Sequence, residues 1–422
     1  MLVLAGLVLL ASATAARGDN WPQWRGIHGD GISRETNLPV SWSRDNNVAW
    51  RLPLPGPAGA TPVVWGDRIF LTSAAGRDLV LMCISTEGKE LWRRQIGSGN
   101  QEVRGDEGNS ASPSPCTDGQ FVWSFLGNGA LACHTVDGEP VWNLDVPSRY
   151  GKLNIAFGLT SSPVLDGDRL YLQLIHGDGN PATREALVVA LDKKTGREIW
   201  QQARPSDARA ECEHSYASPV LYRDEQRSLL LTHGADYVVA HDPDSGRELW
   251  RCGDLNPKGK YNDTLRFVAS PAVAPGVIVV PSAKNGPVFC LRPDLKGDVT
   301  ESPDAFFWKR PQGTPDVPSP LIHDGLVYLC RENGNLVCVD ARTGEQFYEQ
   351  RTEPDRHRAS PVWADGKLYL TARRGVVTVV KAGRKFEILS SNALNEEMSA
   401  SPAIAHGRIY LRTFGALYAI GK

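Results

Sequence analysis

Several motifs that identify enzymes and metalloproteins are missing from this 422-residue chain. It contains no adjacent cysteines, no Cys-x-x-Cys pair, no Cys-x-x-Cys-His haem attachment site and no histidine pair at metal-site spacing. It also lacks the Gly-x-Ser-x-Gly motif of a nucleophile elbow and any pair of carboxylates at positions typical of catalysis. A hydrolase or lyase therefore has no recognisable nucleophile in this chain. These absences remove the enzyme classes that are easiest to identify from sequence.

An excess of charge of one sign is also lacking. The chain has 46 basic and 48 acidic residues, which gives a formal net charge of −2. Nucleic-acid and anionic-membrane partners are recognised through a basic surface field, so neither is indicated. Within the repeats described next, no apolar pattern has the 3.6-residue period of a helix.

A repeated Ser-Pro or Thr-Pro step dominates the sequence. Each step precedes a short turn and a run of β-branched or aromatic residues, and the spacing between steps falls in the range that indicates propellers or solenoids. The eight steps are Thr61-Pro62, Ser112-Pro113, Ser162-Pro163, Ser218-Pro219, Ser270-Pro271, Ser319-Pro320, Ser360-Pro361 and Ser401-Pro402.

Each repeat reads as four short strands. In the clearest copy, residues 162–200, Asp166-Gly167 marks a hairpin after the first strand and Thr195-Gly196 marks a second tight turn. Proline is tolerated at the first residue of a strand. The sequence therefore predicts an all-β fold, an eight-bladed β-propeller of four-stranded antiparallel blades.

The fourth strand of each repeat is expected to end in a large aromatic residue, which predicts the contact between blades. The last repeat stops after its third strand, and the segment Asn47 to Trp50 near the N-terminus is expected to supply the missing strand and so close the ring. The aromatic residues are Trp92, Trp142, Trp200, Trp250, Trp308, Tyr348, Phe386 and, from the N-terminal strand, Trp50.

The first residues of the chain suggest export, and the continuous ring of repeats suggests a single folded domain. Residues 1–16 are uncharged, mostly apolar and end in small residues, as a secretory signal does, although the basic start of such a signal is missing. An uncleaved anchor is the alternative, but the stretch is short for a membrane span. We expect an N-terminal arm at 17–46, a propeller at 47–422, no transmembrane span in the mature chain, and a periplasmic or other extracytoplasmic location.

Eight cysteines in an exported chain would ordinarily suggest disulfides. Four of them, Cys83, Cys133, Cys290 and Cys338, instead fall where other repeats have Ala190 and Ala240, so they are predicted to fill a small buried slot. A disulfide between Cys330 and Cys338 across one hairpin is the alternative.

The repeat resembles that of the pyrroloquinoline-quinone-type propellers. The resemblance rests on Ser-Pro-Val-x-x-Asp-Gly-x-x-Tyr followed by Ala-x-Asp-x-x-Thr-Gly-x-x-x-Trp, clearest in residues 162–200 and 218–250. The runs Asn20 to Gly26 and Asn47 to Gly56 look like the start of exported propeller proteins of planctomycete-type bacteria.

That resemblance implies two classes of function. Quinoprotein dehydrogenases bind the quinone and a calcium ion over the central channel, whereas the propeller lipoprotein of the barrel-assembly machinery is a non-catalytic scaffold. The fold alone does not choose between them. The family's enzymes use adjacent cysteines as one face of the quinone site and long insertions as its roof, and this chain has neither.

The loops that lead into each innermost strand are predicted to surround one mouth of the channel. Their mixed basic and acidic groups could bind a small polar ligand or a protein, or could simply be solvated, and no catalytic residue can be named. The candidate ligand-binding residues are Arg104, Glu107, Glu213, His214, Tyr216, Arg266, Asp316, His357, Arg358 and Glu397. We therefore expect a scaffold without a metal or cofactor, with a dehydrogenase that uses pyrroloquinoline quinone and calcium as the alternative.

Overall fold

The computed structural model describes residues 19–103, 108–177 and 186–422, and it confirms the eight-bladed propeller. Eight antiparallel sheets of four strands surround a central channel, and two of the sheets carry one short additional strand. From the innermost strand outward, blades 1 to 4 are Val63–Trp65, Arg68–Ala75, Asp78–Ser85 and Glu90–Ser98; Cys116–Thr117, Phe121–Phe125, Ala130–Thr135 and Pro140–Asp145; Val164–Asp166, Arg169–Ile175, Ala186–Asp192 and Glu198–Ala203; and Val220–Arg223, Ser228–Gly234, Tyr237–His241 and Glu248–Cys252.

The second half of the ring follows the same order. Blades 5 to 8 are Ala272–Ala274, Val277–Pro281, Val288–Leu291 and Phe306–Arg310; Leu321–His323, Leu326–Cys330, Asn335–Asp340 and Gln346–Arg351; Val362–Ala364, Lys367–Thr371, Val376–Lys381 and Ile388–Ala393; and Ala403–Ala405, Arg408–Arg412, Ala416–Ile420 and Val48–Pro53.

A few short elements lie outside this pattern. The two additional strands are parallel to their neighbours: Ile32–Ser33 lies beside the innermost strand of blade 7, and Gly297–Asp298 beside the outermost strand of blade 4. The rest are a two-residue ladder between Glu102–Val103 and Gly108–Asn109, the helix Val146–Tyr150, and the 3-10 turns Ala210–Glu213, Lys258–Lys260 and Pro303–Ala305.

Tryptophans at the third residue of the outermost strands join neighbouring blades, so these aromatic residues lie near the start of the strand and the expectation that they end it was wrong. The indole N–H of Trp92 in blade 1 donates to the carbonyl of Val136 in blade 2 at 2.9 Å, and its ring lies against the turn glycine Gly138. Gly138 has φ of 87°, and a Cβ there would come within 2.8 Å of the Trp92 ring, so the turn requires glycine for both conformation and space. Trp50, Trp142, Trp200 and Trp308 make the same kind of contact with the next blade.

Blade 7 departs from the aromatic pattern. Phe386 precedes the outermost strand Ile388–Ala393, and Ser390 occupies the position opposite Val379 on the third strand. Phe386 instead packs edge-on against Tyr348 of blade 6, with ring centroids 5.5 Å apart. The expectation that Phe386 ends a strand was therefore wrong, because the chain enters this strand two residues later.

The Ser-Pro steps form a ring of hydrogen bonds around the channel, which we call the serine belt. At seven of the eight boundaries between blades, the backbone N–H of one member donates to the hydroxyl oxygen of the equivalent residue in the next blade, at 2.9 to 3.0 Å. In order, the members are Thr61, Ser114, Ser162, Ser218, Ser270, Ser319, Ser360 and Ser401.

The belt corrects the register that the sequence suggested for blade 2. Ser114, and not Ser112, is the member of the belt, because its hydroxyl accepts the N–H of Thr61 at 2.9 Å. The hydroxyl of Ser112 accepts the N–H of Asn109 at 3.0 Å and so holds a surface loop. The two steps in Ser112-Pro113-Ser114-Pro115 cannot be distinguished by pattern alone.

The segment from Trp21 to Glu35, called here the plug, crosses the channel at the end where the innermost strands finish. Trp21 exchanges two backbone hydrogen bonds with Val64 of blade 1, both of 2.8 Å. The plug also bonds to blades 2, 3, 6, 7 and 8, through Thr117, Leu165, Pro320, Trp363 and His406. A segment that contacts both sides of a ring must pass across its centre.

Arg25 fixes the plug to the propeller. Its guanidinium is buried and donates to the carbonyl oxygens of Asp30 and Pro320, both at 2.8 Å. Burial lowers the pKa of Arg25 to about 10, so the group remains charged at neutral pH. An arginine buried in this way is stabilised by carbonyl dipoles.

The strand Val48–Pro53 pairs antiparallel with Ala416–Ile420, the last strand of the chain, so a strand from near the N-terminus completes blade 8. The chain reaches this position along the outer side of blade 7. There Trp42 is buried, its ring lies 6.4 Å from that of Tyr369, and its backbone N–H donates to the Oδ1 of Asn392 at 2.9 Å.

All eight cysteines are buried free thiols. Cys83, Cys133 and Cys290 lie opposite Trp92, Trp142 and Trp308 on the neighbouring strand, where a large side chain would not fit beside the indole. Burial raises the pKa of each of these three thiols to about 12. They therefore behave as small apolar side chains and remain unreactive at neutral pH.

The serine belt can be tested at Ser218. Ser218→Ala leaves the buried N–H of Ser162 without its acceptor, which should lower the free energy of unfolding by about 1–3 kcal/mol. Urea denaturation followed by tryptophan fluorescence measures the change. Ser228→Ala, at an exposed position on the same blade, is the control and should have little effect. Equal stability of the Ser218 and Ser228 variants would contradict the role of the belt.

Closure of blade 8 can be tested by truncation. Removing residues 19–53 exposes the edge of Ala416–Ile420, and at ~25 cal/mol per Å² of apolar surface the loss should be several kcal/mol. We expect a lower melting temperature and aggregation through the open edge. A chain that starts at Asn46 and keeps the strand separates this effect from loss of the plug. An unchanged melting temperature in the longer deletion would refute the prediction.

The cysteines give a third test. Thiol titration of the denatured, unreduced protein should count eight free thiols. Cys83→Ala, Cys133→Ala and Cys290→Ala should each change stability by less than ~1.5 kcal/mol, because the volume change is small. A titration that found no free thiols would show that the slots are bridged instead.

Candidate functional site

The channel contains a cavity of about 390 Å³. The serine belt surrounds it, and all eight members of the belt line its wall. Each hydroxyl oxygen of the seven described links accepts an N–H from the preceding blade, so its own O–H can donate into the cavity. The wall is therefore rich in neutral hydrogen bond donors, which suits carbonyl, carboxylate or other oxygen-rich groups.

The plug closes one end of this cavity. Trp24, which belongs to the plug, lines the cavity from that end, and the guanidinium of Arg25 lies 5.7 Å from its ring. The aromatic side chain forms a flat floor. A ligand therefore reaches the cavity from the opposite face, where the loops that lead into each innermost strand lie.

Tyr216 and Arg266 lie together at one side of the open mouth. Tyr216 is buried, and its ring lies 6.1 Å from that of Phe157. The guanidinium of Arg266 lies 4.4 Å from the same Phe157 ring and 2.7 Å from Glu211. A fixed cation beside aromatic surface can bind an anionic or carbonyl-bearing group.

Asp316 and Arg358 line the adjoining part of the mouth, on the loops that lead into blades 6 and 7. Asp316 accepts the backbone N–H of Lys284 at 2.9 Å, and Arg358 lies 3.0 Å from Glu332. The mouth thus carries both cationic and acidic groups. The structure brings Tyr216, Arg266, Asp316 and Arg358 together around one cavity.

Glu213 and His214 lie next to Tyr216 in sequence but do not line the cavity. Glu213 ends the 3-10 turn Ala210–Glu213, and His214 pairs through its backbone with His176. Burial lowers the pKa of His214, and Arg266 shifts it in the same direction. His176 has a pKa of about 4 for the same reason, so it is neutral at physiological pH.

The other candidates lie further from the cavity. His357 is fully buried, its Nδ1 lies 3.0 Å from the carbonyl oxygen of Asp355, and burial lowers its pKa. Glu397 lies 3.4 Å from Arg373, in a neighbouring cleft. Arg104 and Glu107 fall outside the described residues, as does the apolar segment at 1–16.

A quinone site needs a second flat face opposite Trp24, and its calcium needs a set of converging ligands; the mouth brings neither together. Trp24 provides one flat face, but the cysteines are separate buried thiols and provide no second face. Across residues 19–103, 108–177 and 186–422, no three His, Cys, Asp or Glu side chains converge as metal ligands would. The residues at this mouth therefore do not fit the quinone and its calcium.

Sequence reasoning missed the serine belt and Trp24 as parts of the site. The eightfold Ser-Pro step was visible, but it was interpreted as a strand start, and only the ring geometry places every hydroxyl on the channel wall. Trp24 lies in an arm whose path depends on contacts with residues such as Pro320, almost three hundred positions later in the chain.

Comparisons with known proteins agree with the fold. The family model described as outer membrane protein assembly factor BamB matches residues 33–179, 134–382 and 332–420. No curated protein matches the sequence. In the described part of the chain, no helix combines the length and the apolar composition that a membrane crossing needs.

Solved structures of two functional classes are similar to this chain. BamB from Moraxella catarrhalis is 14% identical with a TM-score of 0.59, over 86% of this chain and 94% of that one. A europium-containing methanol dehydrogenase is 11% identical with a TM-score of 0.71, over 94% and 90%. Quinohemoprotein alcohol dehydrogenase from Comamonas testosteroni is 13% identical with a TM-score of 0.67, over 96% and 81%. At these identities the likeness shows the fold alone.

Proposed function

The chain belongs to the family described as outer membrane protein assembly factor BamB, and from this premise we propose that it is an exported, non-catalytic binding module. Its binding surface is the open mouth of the channel, which takes a protein segment or a small polar ligand. The apolar segment at 1–16 supports export to the periplasm.

The proposal rests on a cavity that is closed at one end and open at the other. The plug closes the far end with Trp24, the wall presents hydroxyl groups, and Arg266 and Arg358 stand at the mouth. Such a site offers hydrogen bond donors and fixed charge. It offers neither a nucleophile with its base nor a convergent set of acidic ligands among the described residues.

Capture from an envelope extract can test the binding face. Arg266→Gln removes one cation from the mouth, and Arg247→Gln removes one from an exposed turn on the opposite face. We expect the wild-type protein and the Arg247 variant to capture the same partner, and the Arg266 variant to capture less. If instead the Arg247 variant alone loses the partner, the binding surface lies on the other face.

Adding the quinone separates the scaffold proposal from the dehydrogenase alternative. If the protein is a scaffold, quinone and calcium added to it should give no dye reduction with alcohol or sugar and no thermal shift. A ligand present at 100 times its dissociation constant would stabilise the protein by ~2.7 kcal/mol, which melting detects easily. Dye reduction that disappears in Arg266→Ala or His214→Ala would refute the scaffold proposal.

A further inference from the structure

A second cleft, of about 530 Å³, lies beside the channel mouth on loops of blades 5, 6 and 7. We call it the basic cleft. Six cationic side chains and four acidic ones line it. The cations are Lys284, Arg331, Arg351, Arg356, Arg373 and Arg374, and the acids are Asp316, Glu332, Asp355 and Glu397.

The charge of the cleft is opposite to that of the whole chain. The chain carries a formal net charge of −2, whereas cations exceed acids in the cleft lining. Five of the six cations are arginines, whose planar guanidinium binds a carboxylate through two parallel hydrogen bonds. A local excess of arginine in a concave site favours an anionic ligand.

Two of these arginines are held in place by the protein. Arg331 lies 3.0 Å from Glu349 and donates to the side chain of Asn285 at 2.7 Å. Arg373 lies 3.4 Å from Glu397, and its guanidinium stacks 4.2 Å from the ring of Phe414. Because these side chains are already ordered, a ligand that pairs with them loses less conformational entropy on binding.

Two other arginines face solvent at the same cleft. The side chain of Arg374 is 82% exposed and lies 3.7 Å from Asp355, and Arg351 is also exposed. An ion pair this exposed contributes little to stability. Arg374 and Arg351 can therefore each pair with an anionic ligand at small cost to the fold.

We propose that the basic cleft binds an acidic peptide segment of a partner protein. The arrangement of charge favours a peptide over a densely charged polyanion. Because four acidic side chains lie among the six cations, a polyanion would meet repulsion at several points. A peptide with separated carboxylates can place them against arginines and place its amides against the amide side chains of Asn285 and Asn333, which also line the cleft. This inference rests on the proposed binding function.

Fluorescence anisotropy tests the proposal with the full chain and a short labelled Glu-Ser repeat peptide. The Gln-Ser repeat of equal length is the matched probe. We expect only the acidic peptide to bind, with an affinity that falls as sodium chloride is added. The double variant Arg351→Gln, Arg374→Gln should weaken binding by about tenfold or more, as loss of charge-assisted hydrogen bonds does.

Arg197→Gln, at an exposed turn on the opposite face, removes the same charge and should leave the affinity unchanged. Melting temperatures check that each variant is folded, and Arg374→Gln alone provides a milder change. Equal binding of both peptides, no binding of either, or full affinity in the double variant would overturn the inference. So would complete displacement by inorganic phosphate at concentrations near that of the peptide, which would indicate a small-anion site.

The two proposals can fail separately. Arg266 lies outside the lining of the basic cleft, so the capture experiment reports on the channel mouth alone. If the Arg266 variant captures less partner, as expected, but the acidic peptide does not bind, the inference about the basic cleft is rejected and the proposed function stands.

Discussion

The serine belt is the constraint on which the geometry of the ring depends. Six blades present both a backbone N–H and a hydroxyl oxygen at the same radius, blades 1 and 8 complete the seven links, and each link is 2.9 to 3.0 Å long. A blade that shifted along its strands would break two links, and its buried polar groups would lose their partners. The tryptophan contacts at the outer radius then fix the tilt between blades. Register and spacing are thus set at two radii.

The belt also explains why the wall of the cavity is polar. A residue that must accept an N–H at every blade boundary cannot be apolar, so the channel is lined by hydroxyls as a result of how the ring is held together. Binding chemistry in this site therefore comes from the loops that carry Arg266 and Arg358 and from the plug that carries Trp24. The scaffold is uniform, and the differences between blades lie at its mouth.

The repeat was enough to predict the all-β class, the eight blades and the four strands per blade, because strand and turn signals are local in sequence. Prediction was wrong where local signals were duplicated or displaced, as at Ser112 and Ser114 and at Phe386. The site was only partly predictable: Arg266 and Asp316 lie at the mouth, while His357 is buried. Loop residues share a face by topology, but side-chain burial depends on contacts between blades.

The path of the plug affects the order in which the chain can fold. Trp21 to Glu35 is synthesised early, yet its partners in blades 6 to 8 are synthesised last, since Arg25 bonds to Pro320 and Glu35 bonds to His406. Contacts between residues so far apart carry a large loop-closure entropy and slow folding. Blades can pair with their neighbours as they emerge, but the plug cannot complete its contacts until blades 6 to 8 are in place. The first segment of the described chain is therefore fixed late, although it is synthesised early.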